Sequence, residues 1–259
     1  MDFISLLGFF GAILMGIVLG ALGGGGAILS VPILVAAFGF QMKEAAVASY
    51  FILLFSAALG MWKNRSAVVI QKALWFSLLS LITLWVVRLS VVPLIPEEMH
   101  VWGKTVTSHE LLLFVLVAVI FAVALSMLKK KKEVKGGMTE LIISSVLVGT
   151  LGALVGAGGG FLIVPALLGQ KGMTMKQATA TSFVVIAANA ITGIATSWSK
   201  AFELNWQVLA PFIAFGVFGV FLGGVIAKRT DDKKLKSAFN VLLFVVGIGM
   251  IVQELMTKK

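Results

Sequence analysis

The sequence predicts an all-α polytopic membrane protein made of two inverted-topology repeats, each a helical hairpin broken at a glycine motif and followed by three long transmembrane helices. Three observations carry this reading. The first is composition: 59% of the 259 residues are hydrophobic, only 12% are charged, and the mean hydropathy is +1.07. Soluble domains carry about 25% charged residues, and uncharged stretches of about 20 residues are long enough to span a bilayer. A transmembrane β-barrel would instead show short alternating segments.

The second observation is an internal repeat. "GGGGAILSVPIL" at 23–34 returns as "GAGGGFLIVPAL" at 156–167, and "GFQMKEAAVASYF" at 39–51 as "GMTMKQATATSFV" at 172–184. The offset of 133 holds without a gap, and 15 of the 44 positions from Gly23 to Ser66 are identical. Shared membrane composition does not account for matched Pro32/Pro165, Lys43/Lys176, Ser49/Ser182 and Gly60/Gly193 in one register. The repeat divides the chain into a first transmembrane unit (1–128), a basic linker (129–138) containing "KKKKEVKGG", and a second transmembrane unit (139–259).

The third observation is the placement of lysine and arginine. Each unit reads as long segments (3–22, 45–62, 73–95, 111–128; 140–155, 178–198, 204–227, 235–256) with a short one (28–38; 161–169) after the glycine break. The short pieces do not reach across a bilayer. If each is merely part of a loop, the units are parallel. If each folds back on the preceding segment as a hairpin, each unit crosses an odd number of times and the two are inverted. With the basic linker inside, the inverted arrangement puts fifteen basic residues inside and six outside, against about eleven and ten for the parallel one. The positive-inside rule favours inversion, with both termini outside.

Composition also excludes function classes. A net charge of +10 and a pI near 10 would suggest nucleic acid on a soluble chain, but here the basic residues sit in short connectors, and no nucleic-acid partner is expected. The absence of cysteine rules out disulfides and thiolate chemistry, and His100 and His109 in one polar loop do not make a metal site. No catalytic residue, metal or cofactor is expected. The start, Met1-Asp2-Phe3, lacks the basic region of a secretory signal, so 3–22 is expected to be a resident span. Asp2, Glu44, Glu97, Glu98, Glu110, Glu140, Glu203 and Glu254 all fall at or near segment ends. Without carboxylates deep in the spans, a cation site or carboxylate relay is disfavoured.

The candidate site residues follow from the breaks. Glycine exposes backbone N–H groups, and a helix starting after the break offers a positive dipole end to an anion. Gly24, Gly25 and Gly26 in the first unit and Gly158, Gly159 and Gly160 in the second are therefore candidate ligand-lining positions. Close packing is the competing reading, because Gly16/Gly20 and Gly152/Gly156 have GxxxG spacing. On the following segment, Ser49 and Ser56 are seven residues apart and share a helix face, as do Thr181 or Ser182 and Asn189. These are neutral donors suited to an anion's oxygens, though interhelical hydrogen bonding would use them too. Lys43 and Lys176 at the mouths of these segments either attract an anion or anchor the interface.

The doubled pattern G-x-G-G-G-x-L-x-V-P followed by A-x-x-T-S resembles the sulfite exporter TauE/SafE family, a group of bacterial anion transporters. The second copy, "GAGGGFLIVP" with "ATATSF", is the closer match; the first, "GGGGAILSVP" with "AVASYF", has Ala48 in place of the family's threonine. "ELNWQVL" at 203–209 also looks like a family segment. The resemblance implies a secondary transporter or facilitator of a small sulfur-containing anion such as sulfite, sulfoacetate or another organosulfonate, in a bacterial cytoplasmic membrane. It implies more binding by the second unit than by the first. Protons stand as the candidate coupling ion; with no buried carboxylate, either the proton travels on the substrate or transport is passive. An anion channel is the first alternative, ahead of an intramembrane enzyme or a scaffold. Oligomeric state is left open.

Overall fold

A computed structural model describes residues 3–91, 94, 98–101, 104–128, 137–155, 160–198 and 204–257. The basic linker from 129 to 136 and the glycines of the second break from 156 to 159, Gly158 and Gly159 among them, lie outside the described residues.

The chain is a bundle of α-helices. In the first unit these are α1 (Phe3–Leu22), α2 (Ser30–Phe38), α3 (Met42–Lys63), α4 (Ile70–Ser90) and α5 (Ser108–Leu128). In the second they are α6 (Met138–Val155), α7 (Gly160–Leu168), α8 (Met175–Thr196), α9 (Trp206–Arg229) and α10 (Asp232–Thr257). Among the described residues, six helices are long and apolar enough to cross a membrane: α1, α3, α4, α8, α9 and α10. Large apolar side chains such as Leu6, Phe10, Leu78, Ile143, Phe218 and Val245 face outward. Water would penalise such a surface; hydrocarbon does not. The expected loop between α4 and α5 contains an antiparallel hairpin, β1 (Glu98–Val101) with β2 (Lys104–Thr107), register Glu98 to Thr107.

The two units repeat their local devices. Gly39 and Gly172, repeat mates, both take positive φ, 68° and 75°, which L side chains adopt at a cost. Two residues later, the helix start is capped in both: the Gln41 N–H donates to the Glu44 carboxylate at 3.0 Å, and the Thr174 N–H to the Gln177 side-chain carbonyl at 3.1 Å. The Gln177 N–H in turn donates to the Thr174 hydroxyl, which completes a capping box.

Helix directions follow from the glycine contacts. A Cβ on Gly8 would stand 2.5 Å from the Phe38 ring, and one on Gly11 would stand 3.3 Å from Ile33. Helix α2 therefore runs back along α1, as a hairpin requires. Gly60 of α3 lies under the Phe183 ring of α8, while Gly193 of α8 lies under the Tyr50 ring of α3, each with a built Cβ 2.6 Å from ring carbon. Since 50 meets 193 and 60 meets 183, α3 and α8 cross antiparallel. Gly16 and Gly20 of α1 press against the backbone of Gly216, Gly219 and Val220 in α9. At this pair the packing use of the GxxxG spacing is the one realised.

Three connectors meet at one end. The Lys72 ammonium donates to the Lys171 carbonyl at 3.1 Å, and the Met175 N–H donates to the Asp232 carboxylate at 3.0 Å. The Lys63 ammonium reaches the Phe221 carbonyl at 2.7 Å, near the end of α9. The basic stretches 63–72, 169–177 and 228–236 thus share an end of the bundle.

Candidate functional site

The first break is a 3-10 turn, Gly24–Leu29, between α1 and α2. Gly23 turns the chain with φ 77° and ψ −138°, a conformation open to glycine. The buried Ser30 hydroxyl donates to the Ala27 carbonyl at 2.8 Å and holds the turn against α2. Pro32 is the third residue of α2, where a missing N–H costs nothing because the first turn has no intrahelical acceptor for it. Its mate Pro165 is the sixth residue of α7, inside the helix, because α7 is already α-helical from Gly160.

The two breaks meet. A Cβ on Gly24 would overlap the Gly160 carbonyl oxygen, and one on Gly160 would stand 3.2 Å from the Ala27 methyl. Ala27 and Gly160 are repeat mates, so equivalent positions of the two tips touch each other. A Cβ on Gly23 would stand 2.6 Å from the Ser182 hydroxyl oxygen and 2.9 Å from Val164. The first tip is therefore seated against the second unit's serine, across the bundle from its own. Gly25 and Gly26 turn elsewhere: Gly25 toward Phe239 and Leu242 of α10, Gly26 onto Leu19 and the Met15 carbonyl of α1. Of the first-unit glycines proposed as ligand-lining, only Gly24 touches the opposite tip.

The polar candidates separate by what they bond. Ser49 and Ser182 are both buried and both return their hydroxyl to the carbonyl three residues earlier, Ala46 at 2.7 Å and Thr179 at 2.8 Å. This local bond leaves the oxygen's lone pairs available and the hydroxyl proton easily redirected. Thr181 is fully buried and its hydroxyl oxygen accepts the Val69 N–H at 3.1 Å, capping the start of α4 in the other unit. Its first task is structural. Ser56 is fully buried, and its hydroxyl has no partner among the described residues. Asn189 lines a cavity of about 470 Å³ with Tyr50, Trp85, Gly152, Thr192 and Gly193. The register of the α3–α8 crossing puts Ser56 and Asn189 within a turn of each other along the helices.

Three buried polar groups escaped sequence reasoning. The Ser77 and Thr179 hydroxyls and the Asn240 side-chain oxygen have no hydrogen-bond partner among the described residues. A Cβ on Gly23 would stand 3.3 Å from the Thr179 backbone, which places that residue at the first tip. Asn240 follows Phe239, which Gly25 faces. The signal for Asn240 was present: an amide inside the apolar run of α10. A second cavity, about 1050 Å³, lies between α5, α6 and α7 at the basic end, and among the described residues its lining includes neither Gly24, Gly160 nor Ser182. Among the described residues no group of three His, Cys, Asp or Glu side chains is placed to hold a metal.

The sequence profile of the sulfite exporter TauE/SafE family matches residues 8–250. The chain belongs to this family. A "probable membrane transporter protein" of Xylella fastidiosa (strain Temecula1) is 27% identical over 255 residues, covering 92% of this chain and 91% of the relative. The "probable membrane transporter protein YunE" of Bacillus subtilis is 31% identical over 110 residues, 42% of this chain and 40% of that protein. "Probable membrane transporter protein MJ0441" of Methanocaldococcus jannaschii is 34% identical over 116 residues, 42% of this chain and 43% of that protein. No solved structure matches the chain. Membership of the TauE/SafE family makes this a multi-pass secondary membrane transporter and not an enzyme.

Proposed function

We propose that this TauE/SafE protein moves a small sulfur-containing anion, such as sulfite, sulfoacetate or another organosulfonate, by alternating access between two inverted repeats. The observation that carries the reading is the contact of the two breaks: Gly24 against Gly160, with Ser182 against Gly23. Backbone and neutral hydroxyl donors near the middle of a bundle, with no carboxylate among them, suit an anion. Separation of the tips would free Gly24, Gly160 and Ser182 for the solute; Gly158, Gly159 and Ser49 join them in this proposal, with Ser56 and Asn189 one step along the α3–α8 crossing. Gly25 and Gly26 support the turn, and Thr181 holds the wall.

Inversion is supported by the reciprocal pairs Gly60–Phe183 and Gly193–Tyr50, the relation expected of equivalent helices about an axis in the membrane plane. It is supported too by the Lys72–Lys171 contact, because parallel units would put 63–72 and 169–177 on opposite sides. With the basic end inside a bacterial cytoplasmic membrane, both termini fall outside. Protons remain the candidate coupling ion.

Flux into proteoliposomes loaded with the purified chain tests the substrate class. Sulfite, thiosulfate, sulfate, sulfoacetate and taurine are compared with and without a pH gradient. Saturable movement of at least one sulfur oxyanion or sulfonate is expected. If none moves and a cation does, the reading is wrong.

A further inference from the structure

Among the described residues the large cavity at the basic end shares no lining residue with the tip contact, and its lining has a chemistry of its own. Its deep walls are apolar: Val119 and Val123 of α5, Val148 and Leu151 of α6, Leu162 of α7. Along α5 it runs from Val119 to Met127, about 12 Å at 1.5 Å per residue. Leu147, on its wall, is 56% exposed on the outer face of the bundle, so the cavity opens toward the surrounding hydrocarbon. The end of α5, the start of α8 and the start of α10 all lie at its mouth.

The mouth is cationic. Lys171, Lys233 and Lys236 line it, and Lys72 joins them through its bond to the Lys171 carbonyl. The one carboxylate among the described lining residues, Asp232, is turned to the Met175 N–H at 3.0 Å. Its neighbours Asp231 and Lys234 cancel in charge. An apolar slot open to the bilayer beneath a cluster of lysines is complementary to an acyl chain under an anionic headgroup. A small free anion would have no use for the apolar depth.

We propose that this cavity binds one anionic phospholipid, with its phosphate on Lys171, Lys233 and Lys236 and an acyl chain between α5 and α6. The proposal is independent of the solute that the tips carry.

Native mass spectrometry of the delipidated full chain in detergent, titrated with phosphatidylglycerol or with phosphatidylcholine of the same chains, tests it. A one-lipid adduct is expected with phosphatidylglycerol and much less with phosphatidylcholine. The triple variant Lys171→Gln, Lys233→Gln, Lys236→Gln is expected to weaken the phosphatidylglycerol adduct at least about ten-fold. Ser144→Trp, which fills the slot with every lysine intact, is expected to remove it and serves alone if the triple variant does not purify. Glycerol 3-phosphate, the headgroup chemistry without chains, is expected not to displace the lipid. Undiminished binding by the variants, equal binding of the two lipids, or displacement by glycerol 3-phosphate would each overturn the proposal.

Discussion

Gly24 carries its α-carbon against the carbonyl of Gly160, so the glycine breaks of the two units are in backbone contact. Nothing larger than hydrogen fits between them. Gly24→Ala forces the tips apart, and overpacking of this kind costs about 1–3 kcal/mol. The expected outcome is a lower melting temperature in detergent together with lost transport. Gly39→Ala is the control: its φ of 68° strains alanine, but no atom lies within 4 Å. It is expected to lose about 1–2 kcal/mol of stability and to leave the apparent KM unchanged.

Thr181→Val separates wall from site. The substitution keeps the shape but leaves the half-buried Val69 N–H without its acceptor, a loss of about 0.5–1.5 kcal/mol. Thermal unfolding is expected to show that loss. Thr181→Ser, which keeps the acceptor, is expected to recover most of it. A KM change without a stability change would instead make Thr181 a ligand contact.

The crossing of α3 and α8 predicts coupled pairs. Gly60→Ala pushes on the Phe183 ring and Gly193→Ala on the Tyr50 ring. Each is expected to be destabilising alone and rescued by shortening its own partner, Phe183→Leu or Tyr50→Leu. Double-mutant cycles on unfolding are expected to give couplings of about 0.5–3 kcal/mol within each pair, and near-additivity between Gly60 and Tyr50.

Topology is open to thiol labelling, since the chain has no cysteine to remove. Single cysteines at residues 66, 136 and 233 are expected to label from the same side. Residue 233 discriminates: opposite labelling from 66 would restore the parallel arrangement.

Much of this was legible in the sequence because it depends on local pattern. The first span, 3–22, coincides with α1 because an uninterrupted apolar run ends at glycines. The short segment after it appears as α2, and the fold-back that makes it a hairpin was foreseen from the lysines. The hairpin Glu98–Thr107 was not, since its strands are short and polar and lack the alternation of a buried sheet. Residues 160–162 are α-helical where their mates 27–29 lie in a 3-10 turn, a difference that near-identical glycine motifs do not encode. Within the site, the pairing of Ser49 with Ser182 was visible in the repeat. The division of labour between neighbours was not: Thr181 is taken by Val69, 112 residues away in sequence, while Ser182 faces Gly23. Such assignments depend on which helix lies opposite, and periodicity is silent on that.

The central claim is that the tips and the hydroxyls beside them contact the transported anion. The most direct measurement is the apparent KM for the best anion of the proteoliposome panel, in the parent chain, in Ser182→Ala and in Asn189→Ala. Loss of one hydrogen bond to a charged group is expected to raise KM about ten-fold in Ser182→Ala, with less effect in Asn189→Ala. An unchanged KM in both variants, at unchanged stability, would contradict the account.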